Sequence, residues 1–263
     1  MKKLNFRSDF AEYVDEDFTT FTFNAISVRG ERHQKDNEHN QDYFKCSVKS
    51  DLKYAIVADG LGSAKHSHIG SEKAVEILEE MIKASFHPLA PVSEIDIYEF
   101  NSKLLEKWKG CFLNETREYD TTLLYVIIFS HGVLTGSIGD GLILWSMKNE
   151  VVHIKEEKNS FSNQTYSLAS NQALDYFKFD YTPVNFEDEL PIVFILTTDG
   201  VSDDLKPDVL KQLPAYLNKE LEDKGVKGMQ KVLGDWIINW ETENHSDDRT
   251  FCLLTIGKAG EKA

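Results

Sequence analysis

Apolar positions along the chain change their spacing four times. Short runs of β-branched and aromatic residues come first, near residues 21–29, 43–48 and 54–58, and predict strands. Apolar residues then recur every three or four positions. Ala74, Ile77, Leu78, Met81 and Ile82 mark one helix, with Glu and Lys between them. Ile97, Phe100, Leu104, Leu105 and Trp108 mark a second over about 94–117. Strand-length runs return as "TTLLYVIIF", "GVLTGSIG", "LILWSM" and "EVVHI", separated by turn signals, and read as an antiparallel meander. "PIVFILTTDG" is a further strand, helices are predicted near 207–217 and 226–240, and "RTFCLLTI" is the last strand. Strands grouped before, between and after paired helices give an α+β class with antiparallel sheet at its centre.

No repeat, low-complexity tract or Pro/Gly-rich linker interrupts residues 1–263, so the expectation is a single domain. The chain has 44 Asp and Glu against 29 Lys and Arg, a formal net charge of -15. That surface repels nucleic acid and anionic lipid, and no nucleic-acid or membrane partner is expected. The longest apolar runs are too short to span a bilayer. Cys46, Cys111 and Cys252 are odd in number, widely spaced and without a C-x-x-C pair, which excludes a disulfide framework and fits a reducing, cytoplasmic setting. The basic start, "MKKLNFRSDF", has no apolar stretch behind it of the kind a secretory signal needs.

Three Asp-Gly pairs follow apolar segments. Asp140-Gly141 lies between two strand patterns and reads as a hairpin turn. Asp59-Gly60 and Asp199-Gly200 lead into helices, so a hairpin explains neither. Asp42 stands just before a strand, and Asp247 and Asp248 just before the last one. Four separate segments thus each present an aspartate at a strand end. Converging carboxylates in low dielectric must be neutralised, and hard divalent cations do this with oxygen ligands.

In order, "NQD" (40–42), "VADGLGS" (57–63), "GSEKAV" (70–75), "TTLL" (121–124), "IGDG" (138–141), "TTDGVSD" (197–203) and "DDRT" (247–250) resemble the motifs of the metal-dependent protein phosphatases, the PPM or type 2C family, in a bacterial-type branch. The resemblance implies a sandwich of two antiparallel β-sheets flanked by pairs of α-helices. It implies a centre of two Mn²⁺ or Mg²⁺ ions between the sheets, held by Asp42, Asp59, Asp199 and Asp247 and by the backbone carbonyl of Gly60, with Asp59 bridging both ions. It also implies phosphoserine or phosphothreonine hydrolysis in a phosphorylated protein substrate by a metal-activated water, opposite a Ser/Thr kinase. Asp248 ranks behind Asp247 as a ligand.

The sequence departs from the family pattern at several points. The phosphate-gripping Arg five residues before the "NQD" aspartate is replaced by Asn37. Arg29, Arg32 and His33 stand nearby, and His33 is the first candidate to substitute. The His that protonates the leaving group in many members is replaced by Ala64, and His66 and His68 lie just beyond. Glu115, Glu118 and Asp120 occupy the neighbourhood of a third metal ligand, which leaves a third ion open. Asp203 and Asp204 read as solvated turn residues. Residues 159–190, polar with scattered aromatics and no period, take the place of the family's variable flap. The rival reading is a pseudophosphatase, the same fold used as a binding or regulatory module. Asn37 speaks for it and the full aspartate set against it. A nuclease or phosphodiesterase on the same acidic site is disfavoured by the net charge.

Overall fold

The computed structural model describes residues 6–15, 19–48, 53–86, 93–113, 115–147, 150–155, 165–240 and 246–258. The chain forms β1 (Phe6–Val14), β2 (Thr19–Val28), α1 (Glu31–Lys35), β3 (Asp42–Ser47) and β4 (Lys53–Asp59). Then come α2 (Ser67–Ser85), α3 (Glu94–Gly110) and a short 3-10 turn, Thr116–Tyr119. β5 (Leu123–Phe129), β6 (Gly132–Ile138), β7 (Leu142–Met147) and β8 (Glu150–Lys155) follow. The remainder is α4 (Ala173–Tyr176), β9 (Lys178–Pro183), α5 (Phe186–Glu189), β10 (Ile192–Thr197), α6 (Asp199–Ser202), α7 (Pro207–Ile238) and β11 (Arg249–Lys258).

Among the described residues the strands make two sheets, ordered β1-β2-β11-β10-β7-β8 and β3-β4-β5-β6-β9. Neighbours within each are antiparallel. Period-two alternation sorts the central strands into layers. In β5, Leu123, Tyr125 and Ile127 face α2 and α3, while Leu124, Val126 and Ile128 face the other sheet. In β10 and β11, Phe194, Leu196, Cys252 and Leu254 face inward, and Val193, Ile195, Phe251 and Leu253 face α7. Both faces are covered, which is why these strands read as unbroken apolar runs. The result is the expected sandwich of two antiparallel sheets between helical layers. The two helices expected after residue 206 are the two halves of α7, broken at Gly225 (φ 66°).

The expected meander is divided. β5 and β6 pair in one sheet, β7 and β8 in the other, and the chain crosses between sheets at Gly139–Gly141. Asp140-Gly141 is therefore not a hairpin turn. The crossing depends on Gly139, whose φ of 110° is left-handed and whose absent Cβ would lie 2.4 Å from Thr122. Of the stretch read as an aperiodic flap, residues 159–164 lie outside the described residues. Farther on, α4, β9 and α5 are regular, and β9 closes an edge of the second sheet.

Glu79 on α2 ties that helix to β3 and β4. It pairs with Lys45, accepts from Tyr54 Oη at 2.6 Å and from Lys83 Nζ at 2.9 Å, and is 15% exposed. Burial pushes its carboxyl up, but the hydrogen bonds from Lys45, Tyr54 and Lys83 prevail and hold it at about 2. A lowered folded-state pKa contributes stability above the unfolded value, lost as pH falls towards the folded one. Glu79→Gln is expected to cost about 1.5–3 kcal/mol at neutral pH. In denaturant titrations the gap from the parent should close as pH falls from 4.5 towards 2.

Candidate metal centre

The β3–β4 register sets the first residue of one strand opposite the last of the other, so Asp42 faces Asp59 across the ladder. The "TT" pair fixes the Asp59 backbone. Thr121 Oγ1 and the Thr122 N–H both donate to the Asp59 carbonyl at 2.8 Å, and the Asp59 N–H donates to Thr122 Oγ1 at 3.1 Å. A bridge from Gly60 to Thr121 carries the ladder one step further. A Cβ at Gly60 would lie 2.7 Å from Ser67 at the start of α2, so only glycine lets strand and helix meet there.

The other sheet supplies the opposite wall. Thr198, at the end of β10, and Thr250, in β11, each donate through Oγ1 to Asp42 Oδ2, at 2.9 and 2.7 Å. Asp42 Oδ1 is buried with no hydrogen-bond partner. Asp199 opens α6 directly after β10, its carboxyl hydrogen-bonded to Asp59. Asp247 precedes β11 and is half-buried.

These carboxylates repel one another. Burial, then the charges of Asp42, Asp199, Asp247 and Asp140, push Asp59 well above the ordinary range. Burial and the charge of Asp248 push Asp42 up, against the Thr250 and Thr198 hydroxyls. Burial and Asp140 push Asp199 up to about 6, against its hydrogen bond to Asp59. Asp140 was not among the candidates. It is 7% exposed, accepts from Thr165 Oγ1 at 2.7 Å, and its charge acts on both Asp59 and Asp199. Its signal was the third Asp-Gly pair, hidden by the strand patterns on either side.

Asp248 has a different task. Its carboxylate accepts from the Gly30 and Gln41 N–H groups, both at 2.6 Å, and lies 2.9 Å from His33 Nδ1. His33 is fully buried, and contact with Asp248 raises its pKa against the effect of burial. Its ring ties α1 to the segment before β11 through Asp248. His33, Asp247 and Asp248 nevertheless present donor atoms within 4.8 Å of one another, beside the other carboxylates. Asn37 has φ 56°, a left-handed conformation that Asn tolerates well.

His66 is turned away from the aspartates. Its ring lies 5.2 Å from that of Tyr119 and its Nε2 is 4.0 Å from Glu118. The first turn of α2 instead brings His68 onto His39, stacked at 4.5 Å, and both line a cavity with Asp42. Asp120 holds the segment after residue 164, accepting from Ser167 Oγ at 2.7 Å and the Ala169 N–H at 3.0 Å. Glu115 and Glu118 are exposed. Asp203 is exposed as expected, whereas Asp204 accepts from Trp240 Nε1 at 2.8 Å.

The model of the protein phosphatase 2C family matches residues 29–237. The chain belongs to the protein phosphatase 2C family. Its fold is shared with solved structures of low sequence identity. RsbX in complex with magnesium is 17% identical, with a TM-score of 0.59, over 94% of this chain and 100% of that one. The S. agalactiae serine/threonine phosphatase is 15% identical, with a TM-score of 0.62, over 94% and 99%. The catalytic domain of the serine/threonine phosphatase PstP, in complex with two manganese ions, is 13% identical, with a TM-score of 0.58, over 91% and 100%. No curated protein matches the chain in sequence.

The residues present suit divalent cations. The Asp donors are all oxygen, one buried carboxylate oxygen lacks any partner, and the largest charge effects on Asp59 all come from other carboxylates. Asp59→Asn removes charge from the centre of this repulsion. Without metal it is expected to raise the thermal midpoint by about 2–4 °C. Mn²⁺ should stabilise the parent and stabilise the variant less, as differential scanning calorimetry would show.

Proposed function

We propose that the chain hydrolyses phosphoserine and phosphothreonine in phosphoproteins at a centre of two Mn²⁺ or Mg²⁺ ions. Asp42, Asp59, Asp199, Asp247 and the Gly60 carbonyl are the ligands in this reading, and Asp140 borders them. The observation that carries it is Asp42: one carboxylate oxygen pinned by two hydroxyls from the opposite sheet, the other buried and unpaired. Family membership supports the reaction class, and the magnesium and manganese in the RsbX and PstP structures support the choice of ion.

Bound cations supply the positive charge that draws the phosphoryl oxygens and acidifies the attacking water. The chain supplies position. Thr121 and Thr122 fix the backbone of Asp59, and Thr198 and Thr250 fix the carboxylate of Asp42, so the ligands need little rearrangement. Water adds to phosphorus as the bond from phosphorus to the Ser or Thr oxygen breaks, yielding phosphate and a free hydroxyl. The His39–His68 pair borders the cavity beside Asp42 and is better placed than His66 to give the leaving oxygen its proton. Residues 1–263 act as one phosphatase unit in this reading, opposite a Ser/Thr kinase.

Hydrolysis of p-nitrophenyl phosphate by the purified chain tests this. Turnover is expected with Mn²⁺ or Mg²⁺, none with EDTA, and a loss of at least about a hundredfold in Asp59→Asn and Asp199→Asn. A folded protein that binds Mn²⁺ without turnover is a binding module. Activity indifferent to both substitutions would place the chemistry elsewhere.

A further inference from the structure

Arg7 is an anomaly in so acidic a chain. It sits on β1, half-buried, with its guanidinium 3.9 Å from the Tyr43 ring centroid and 4.3 Å from that of Phe44. Its Nη2 donates to the Phe44 carbonyl at 2.9 Å. That uses one of five N–H donors. Acidic residues outnumber basic ones by 15, yet Arg7 has no carboxylate partner among the described residues. A stacked, hydrogen-bonded guanidinium loses little entropy when it takes up an anion.

Arg7 lines the cavity that contains Asp42. The cavity has a volume of about 730 Å³, within the range of ligand sites, and Arg29, Tyr43, His39 and His68 also border it. Arg29 donates from Nη1 to the Glu38 carbonyl at 3.0 Å, which steadies the loop before Asp42. Two arginines and two imidazoles thus border the cavity, against the carboxylates of Asp42 and Glu72, in a protein whose net charge otherwise repels anions.

Resting on the phosphatase reading, we infer that this cavity binds an anionic side chain of the substrate, next to the phosphoresidue under attack. Its chemistry suits a carboxylate or a second phosphate, and Arg7 is the specificity-determining residue. Planar donors stacked on aromatic rings match both anions bidentately. The scissile phosphate would lie at the carboxylates and the cations they would hold, and the cavity selects by what flanks it.

The test uses the full chain with Mn²⁺ and fluorescent phosphothreonine peptides flanked by Glu, phosphoserine, Ala or Lys. Hydrolysis is followed by phosphate release and binding separately by fluorescence anisotropy. The Glu- and phosphoserine-flanked peptides are expected to exceed the Ala-flanked one by about five- to tenfold in kcat/KM and in affinity, with the Lys-flanked one last. Comparing the Glu and phosphoserine arms identifies the preferred anion. In Arg7→Gln the preference over Ala should fall to about one. Arg29→Gln, in a different element, should weaken it too and covers the case in which Arg7→Gln fails to fold. Equal handling of all flanks by the parent, or a preference kept in both variants, overturns the inference. Selective binding without hydrolysis of any peptide would retain the cavity's role and sink the phosphatase reading.

Discussion

Buried like charge is the constraint around which the structure is arranged. The charges that act most strongly on Asp59 belong to Asp42, Asp199, Asp247 and Asp140, and each raises its pKa. Such a cluster opposes folding unless something holds it together. The fold does so with backbone geometry. Asp42 and Asp59 are set opposite each other by strand register, and Asp140 by the crossing between the sheets. Asp199 and Asp247 arrive on the ends of β10 and β11. Each of these positions is a strand end or lies within two residues of one, where the ladder anchors the backbone.

The contacts around the cluster have a shared logic. Hydroxyls, not cations, orient Asp42: Thr198 and Thr250 each reach it from the opposite sheet. The His33 imidazole is held by Asp248, whose carboxylate also gathers two backbone N–H groups. Asp248 therefore joins three chain segments while its neighbour Asp247 remains in the cluster. Neutral donors fix position without cancelling charge. A lysine or arginine in the same place would cancel it permanently and occupy the space that an exchangeable cation and its phosphate require.

Much of the fold was legible because the central strands are covered on both faces, so that "LLYVIIF" and "PIVFIL" stand out as unbroken apolar runs. The edges were not. β1 carries Arg7, Asp9 and Glu12 among its apolar residues and is mostly exposed, and β9 borders a sheet with only half its residues shielded. An edge strand has no need of an apolar face on both sides, so its pattern fades. The aspartates at 42, 59, 199 and 247 were readable because an acidic residue ending an apolar run lacks a simple structural excuse. Asp140 had one, since a sequence cannot say that the strands before and after a turn belong to different sheets. The place of His33 was hidden for a related reason: burial against Asp248 is a tertiary fact, settled by a residue more than two hundred positions away.

Positive charge is distributed in the complementary way. The charges acting most strongly on Asp59 are all carboxylates, and basic side chains stand along the flank, where Arg7 and Arg29 border the same cavity as Asp42. The separation keeps two electrostatic tasks from interfering. At the strand ends, clustered carboxylates supply oxygen donors of the kind that hard divalent cations take in the proposed reading. At the flank, a guanidinium is held by aromatic stacking and a carbonyl, on a different element from the aspartates. A centre that must hold cations and also admit an anion needs both fields within one cleft. The edge strand β1, which contributes nothing to the cluster itself, carries the second of them.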